Sequence, residues 1–155
     1  MSSDSPANRY ARQIQFAPIG SEGHQGITSS CVAVLGAGAL GTVAAEILAR
    51  AGVGKLIIID RDVVEWTNLQ RQALYIEQDA IDGRSKADAS CDRLRAINSN
   101  IELHPVVADV SSGNICDILN EVDLVIDAAD NFLIRFLLND WSLKTKTPWV
   151  HGGCV

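Results

Sequence analysis

The segment that most restricts what this chain can fold into is Gly36-Ala37-Gly38-Ala39-Leu40-Gly41, a run of mostly small residues between two apolar stretches of different period. Before it, Cys31 to Leu35 is a short apolar run of strand type. After it, Leu40, Val43, Ala44, Ile47, Leu48 and Ala51 recur at helical spacing, and Gly52 supplies a C-terminal stop. Glycines at the first and third positions permit a tight turn and close approach of a diphosphate to the backbone, while Gly41 lets the helix pack on the strand. The helix N-terminus adds N–H donors and partial positive charge.

Leu56 to Ile59 is a continuous aliphatic run, as expected of a strand buried on both faces, and it stops at Asp60, 19 residues after Gly41. A carboxylate at that point can accept hydrogen bonds from ribose hydroxyls. The βαβ unit therefore reads as a nucleotide site. NAD, FAD and ATP all present phosphates and a ribose to this geometry, and the loop alone does not choose among them.

Strand and helix alternate along the rest of the chain. Ala87, Cys91, Leu94 and Ile97 share one face of a helix predicted over 86–97, which Ser85 and Asp88 open as a capping box. A strand over 101–107, a short helix near 115–119, a strand over 124–127, a helix over 131–143 and a last strand from about Pro148 complete the series. The pattern specifies an α/β fold: a doubly wound, mostly parallel Rossmann-like sheet with helices on both faces and its ligand beyond the carboxyl ends of the strands. Residues 1–30 are expected to form an N-terminal arm with a short helix carrying Arg12, and 31–155 the nucleotide-binding domain. The stop after the fifth strand, just past Gly152-Gly153, reads as the first portion of a longer fold whose C-terminal half is absent.

With 155 residues, 47% of them apolar, the chain suits one compact domain. A net charge of −6 argues against general binding to nucleic acid or anionic membrane, so an anionic ligand must meet a local cluster of cations. The polar N-terminus and the lack of a membrane-length apolar run place the protein in the cytoplasm. Cys31, Cys91, Cys116 and Cys154 are too scattered for a disulfide framework or a zinc site and are read as buried thiols, Cys154 as structural. His24, His104 and His151 lie in three separate segments and are given no role. Of Trp66, Trp141 and Trp149, only Trp66 is placed to stack on adenine.

A triphosphate with a departing pyrophosphate carries more charge than a dinucleotide and demands several cations and a metal. The loop after Asp60 supplies candidates: Asp60-Arg61-Asp62-Val63-Val64-Glu65-Trp66-Thr67-Asn68-Leu69-Gln70-Arg71-Gln72. This run, the arm Arg9-Tyr10-Ala11-Arg12-Gln13, Gly83-Arg84-Ser85-Lys86 and Asp127-Ala128-Ala129-Asp130-Asn131 together resemble the ThiF/MoeB/HesA family. These are enzymes of the ubiquitin-activating superfamily that adenylate sulfur-carrier and ubiquitin-like proteins. The resemblance covers nearly the whole chain, in order.

The resemblance implies that Gly36, Gly38, Ala39, Leu40 and Gly41 cradle ATP, that Asp60 holds the ribose with Asp62 close by, and that Gln72 joins the nucleotide site. Asn68, Arg71 and Lys86 would contact the phosphates, and Asp130 would bind Mg²⁺. Arg12 would reach across a homodimer interface to the neighbour's ATP. Each assignment competes with an ordinary role. Asp130 is also placed to N-cap the following helix, Asp62 and Asn68 to cap their own loop, and Lys86 to be a surface lysine. Asp127 either supports the metal or bonds the loop, and Arg135 is expected to bond nearby carbonyls.

The implied reaction is attack by the C-terminal carboxylate of a ubiquitin-like sulfur carrier, ending in Gly-Gly, on the α-phosphorus of ATP. Arg12, Arg71, Lys86 and Asp130 would form the catalytic set. Two alternatives stay open: an NAD-dependent oxidoreductase domain, and a non-catalytic nucleotide-binding subunit or fragment. Isothermal titration separates the first of these: Mg-ATP is expected to bind more tightly than NADH, and the reverse order would sink the adenylation reading.

Overall fold

A computed structural model describes residues 9–153. Residues 1–8 and 154–155, including Cys154, lie outside the described residues; of the described cysteines only Cys91 is buried, whereas Cys31 is partly exposed and Cys116 exposed, against the expectation of buried thiols. The elements run α1 (Ala11–Gln15), α2 (Gly20–Ser29), β1 (Cys31–Leu35), α3 (Ala39–Ala51), β2 (Lys55–Ile59), a 3₁₀ turn (Trp66–Asn68) and α4 (Glu77–Ile81). They continue through α5 (Lys86–Ile97), β3 (Glu102–Val106), α6 (Ile115–Ile118), β4 (Leu124–Asp127), α7 (Phe132–Thr145) and β5 (Trp149–His151).

The five strands form one sheet of order β3-β2-β1-β4-β5, parallel throughout. Successive crossovers lead outward from β1 to β3, and the chain then returns to the other side of β1 for β4 and β5. The switch point therefore lies between β1 and β4, where a doubly wound sheet leaves room for a ligand.

Alternate residues of the central strands feed two cores. Val32, Val34, Leu56 and Ile58 meet Ala45 and Ala49 of α3 and Cys91 and Leu94 of α5. Ala33, Leu35, Ile57 and Ile59 meet Ile115 and Leu119 near α6 and Leu138 and Trp141 of α7. Burial on both faces is why β1 and β2 lack polar alternation. β3 lies at the edge, which accommodates Pro105 without breaking a ladder on its outer side.

The helix ends are set by local chemistry. Ser85 Oγ accepts from the Asp88 amide to open α5, and Gly52 closes α3 at φ +86° in the left-handed region. One helix departs from expectation: 20–29, read as a polar arm, folds as α2. It buries no residue completely and contains Gly20, Gly23 and Gly26, so it carries little helical signal. Its end is docked through backbone, with the Gly54 amide on Ile27 O at 3.2 Å and the Lys55 amide on Ser30 O at 3.1 Å. A Cβ on Gly54 would stand 2.1 Å from Thr28 O. Gly54→Ala is therefore expected to lower stability by about 2 kcal/mol or more through overpacking, whereas the exposed Gly26→Ala should change it by less than about 1 kcal/mol; urea unfolding measures both.

Candidate nucleotide site

Leu35 and Ile59 end β1 and β2 in register, and Gly36 N donates to Ile59 O at 2.8 Å as the chain turns away. Gly36 takes φ +95°, and a Cβ there would stand 2.9 Å from Ala128 O, across the switch point. A Cβ on Gly41 would come within 1.8 Å of Gly36 O, so the first turn of α3 presses directly on the loop. The functions assigned to these glycines from spacing, a tight turn and close packing, are thus visible as contacts.

Asp60 anchors both the glycine turn and the loop after β2. Its Oδ2 accepts from the Ala37 amide at 2.7 Å and its Oδ1 from the Asp62 amide at 2.8 Å. A carboxylate has about four lone-pair sites, so these bonds leave acceptor capacity for ribose hydroxyls. The chain then zips against the start of α5: Val64 N donates to Arg84 O at 2.8 Å and Lys86 N to Asp62 O at 2.9 Å. This brings Lys86 Nζ to 3.1 Å from Asp62 Oδ2, with Lys86 only 8% exposed. Lys86 is no surface lysine; its ammonium is held at the strand ends by a single carboxylate.

Asn68 caps its own turn, Oδ1 accepting from the Glu65 amide at 3.0 Å, while its Nδ2 makes no bond among the described residues. Arg71 is exposed and donates Nη1 to Thr67 O at 2.8 Å. Gln72 is buried, and its Oε1 has no partner among the described residues. Trp66 is exposed on this loop, whereas Trp141 is buried in the core and Trp149 packs against it.

The two aspartates at the end of β4 and just beyond it divide sharply. Asp127 is 0% exposed, its Oδ1 accepting from the Ala129 amide at 3.1 Å and its Oδ2 from Arg135 Nε at 3.4 Å and His151 Nδ1 at 3.0 Å. It bonds the loop and ties β4 to β5. Arg135 therefore pairs with this buried carboxylate rather than with carbonyls, and lies over the Phe132 ring. His151, given no role from sequence, is the third member. Asp130 is exposed and unbonded among the described residues, because Asn131 supplies the α7 cap, accepting from the Leu133 amide at 2.8 Å.

No group of three or more His, Cys, Asp or Glu able to hold a metal occurs among the described residues. Asp130 still fits Mg²⁺, which is commonly held by one or two carboxylates plus phosphate oxygens and water rather than by an all-protein cage. Two hollows of about 260 and 170 Å³ lie elsewhere, one beside Cys116 and Trp141 and one beside Arg84 and Asp92. The strand-end surface carrying Asp62, Arg71 and Asp130 is open.

Arg12 is not brought to this surface. Its helix docks at the opposite end of the molecule, where Gln13 Nε2 donates to Ala51 O at 3.1 Å and Arg9 Nη1 to Ile97 O at 2.9 Å. Those are the C-terminal ends of α3 and α5. The glycine loop sits about 20 Å away, the length of a 13-residue helix.

The ThiF family matches residues 10–155. The chain belongs to the ThiF family. It is 47% identical over 147 residues to the sulfur carrier protein ThiS adenylyltransferase of Bacillus subtilis (strain 168), covering 95% of this chain and 44% of that protein. It is 41% identical over 146 residues to the SAMP-activating enzyme E1 of Haloferax volcanii, covering 94% of this chain and 53% of that one. The Escherichia coli tRNA N6-threonylcarbamoyladenosine dehydratase TcdA, solved in complex with ATP, superposes with a TM-score of 0.87 at 30% identity, over 96% of this chain and 61% of that one. The chain spans about half the length of the curated relatives it matches.

The contrast between the two aspartates is directly testable. Asp127→Ala strands Arg135 beside a buried vacancy and should cost about 3 kcal/mol or more in chemical denaturation. Asp130→Asn, on the surface, should cost less than about 0.5 kcal/mol.

Proposed function

We propose that this protein is an ATP-dependent adenylyltransferase that activates the C-terminal carboxylate of a ubiquitin-like sulfur carrier ending in Gly-Gly as an acyl-adenylate, releasing pyrophosphate. The observation that carries this reading is the nearly buried Lys86 ammonium, held by Asp62 on the same strand-end loop that Asp60 anchors to the glycine turn. A dinucleotide site has no need of that cation, whereas a departing pyrophosphate does. The names of the adenylyltransferase relatives and the ATP-bound structural relative support the same choice.

In this reading the glycine loop and the α3 N-terminus fix the phosphates, and Asp60 orients the ribose. Lys86 moves from Asp62 to a phosphate oxygen, joined by Arg71 and by the Asn68 amide. Gln72 completes the wall of the nucleotide site. Asp130 holds Mg²⁺, whose charge when bound offsets that of the phosphates. The attacking carboxylate is already ionised, so no side-chain base is required; the residues act by positioning and by lowering the repulsion between two anions. A cytoplasmic location belongs to this reading, since that compartment supplies ATP. No helix among the described residues is long and apolar enough to cross a membrane.

Arg12, at the far end of its own subunit, completes a site only in a homodimer where it serves the neighbour. A mixture of Arg12→Ala and Lys86→Ala proteins is then expected to recover about a quarter of wild-type turnover, because random pairing leaves that share of sites intact. No recovery would remove Arg12 from the site. The reaction itself is read by ATP–pyrophosphate exchange in the full-length protein. Exchange should require the carrier and fall at least about a hundredfold in Arg71→Ala or Lys86→Ala; absence of exchange with every Gly-Gly carrier tested would favour a non-catalytic nucleotide-binding subunit.

A further inference from the structure

We propose that Tyr75 is a positioning residue that fixes the glycine loop by holding the Ala37 carbonyl inward and tying it to the first turns of the helix that carries Lys86. The inference rests on the nucleotide-binding reading of that loop. Tyr75 is buried, and its hydroxyl lies 2.7 Å from Ala37 O, 3.2 Å from Ser90 Oγ and 3.4 Å from Lys86 O. A phenol has one proton to give. The short bond to Ala37 O takes it, and the buried Ser90 hydroxyl then donates to the phenol oxygen.

The Ala37 peptide units are therefore held from both sides. The amide donates to Asp60 Oδ2 at 2.7 Å and the carbonyl accepts from Tyr75. The consequence for an anionic ligand is specific. A carbonyl turned toward the phosphates would oppose them with the negative end of its dipole, and holding it inward leaves the loop to present amides. Burial also raises the phenol far above the pH range of a cell, with Ser90 partly offsetting this and Asp60 adding to it, so the hydroxyl stays protonated as a donor.

A tyrosine kept for packing alone needs only some partner for its hydroxyl. This one ends on two segments that the proposed reaction uses, the glycine turn and the Lys86 helix. It belongs to none of the motifs by which the chain resembles its family.

The test is titration of the full-length protein with Mg-ATP and, separately, with adenosine, which lacks phosphates. Tyr75→Phe keeps the ring and is expected to weaken Mg-ATP about tenfold, the equivalent of one buried hydrogen bond, while adenosine changes less than about twofold. Leu119→Ala, on the opposite face of the sheet, destabilises the fold and should leave both affinities within about twofold. Ser90→Ala, which removes only the second partner, should weaken Mg-ATP about threefold and keeps the test available if Tyr75→Phe folds poorly. Unchanged Mg-ATP binding in both variants, or equal loss of ATP and adenosine, would overturn the proposal. Should the wild-type protein prefer NADH to Mg-ATP, the adenylation reading fails, and the same ratio measured against NADH supports or overturns the role of Tyr75 by itself.

Discussion

A single carboxylate organises the upper surface of the sheet. Asp60 can bond the Ala37 amide only because β1 and β2 run parallel and in register to their last residues, which delivers the glycine turn beside the end of β2. Its second oxygen takes the Asp62 amide and so sets the direction of the loop that reaches α5. Remove that carboxylate and two chain reversals lose their common anchor. Gly36 and Gly41 contribute the complementary condition: neither has a side chain to hold the loop away from the 128–129 backbone or from α3.

Charge at this surface is arranged by contrast in solvation rather than by number. The protein is acidic overall, yet Lys86 is nearly buried against an exposed Asp62, a pairing in which the cation is constrained and its partner is free to be replaced. Asp127 and Asp130 show the reverse use of one residue type within four positions. The buried one takes three bonds, from Ala129, Arg135 and His151, and ties the end of β4 to its loop, to α7 and to β5. The exposed one has no such duty.

The sheet and its major helices were legible within a residue or two, because strands buried on both faces must be written as uninterrupted apolar runs and because Ser85 and Gly52 mark helix ends chemically. α2 was not, since glycine-rich polar sequence carries little helical signal and its docking is made by backbone atoms at Gly54 that no side chain announces. At the candidate site, the placement of Asp60 at the end of β2 was legible from spacing, whereas the near-burial of Lys86 against Asp62 was not, because it depends on the loop after β2 zipping onto the start of α5. The division between Asp127 and Asp130 turned on which neighbour caps α7, and Asn131 and Asp130 are equally good caps on paper. Tyr75 and His151 went unassigned because a lone aromatic or imidazole acquires meaning only from the long-range partners the fold brings to it.

The order of the strands also governs when these partners can meet. Pairing β1 with β2 closes a short βαβ unit, but pairing β1 with β4 joins segments 92 residues apart, as at Cys31 and Asp123. Contacts of such separation form slowly, since the entropy of closing a long loop is lost before the contact rewards it. The glycine turn can thus fold early, while the wall supplied by the 128–131 loop arrives only with β4. A chain emerging from the ribosome would present the glycine turn before β4 exists to wall it, and completion of the central sheet, rather than formation of the loop, would set the moment at which the proposed nucleotide site is assembled.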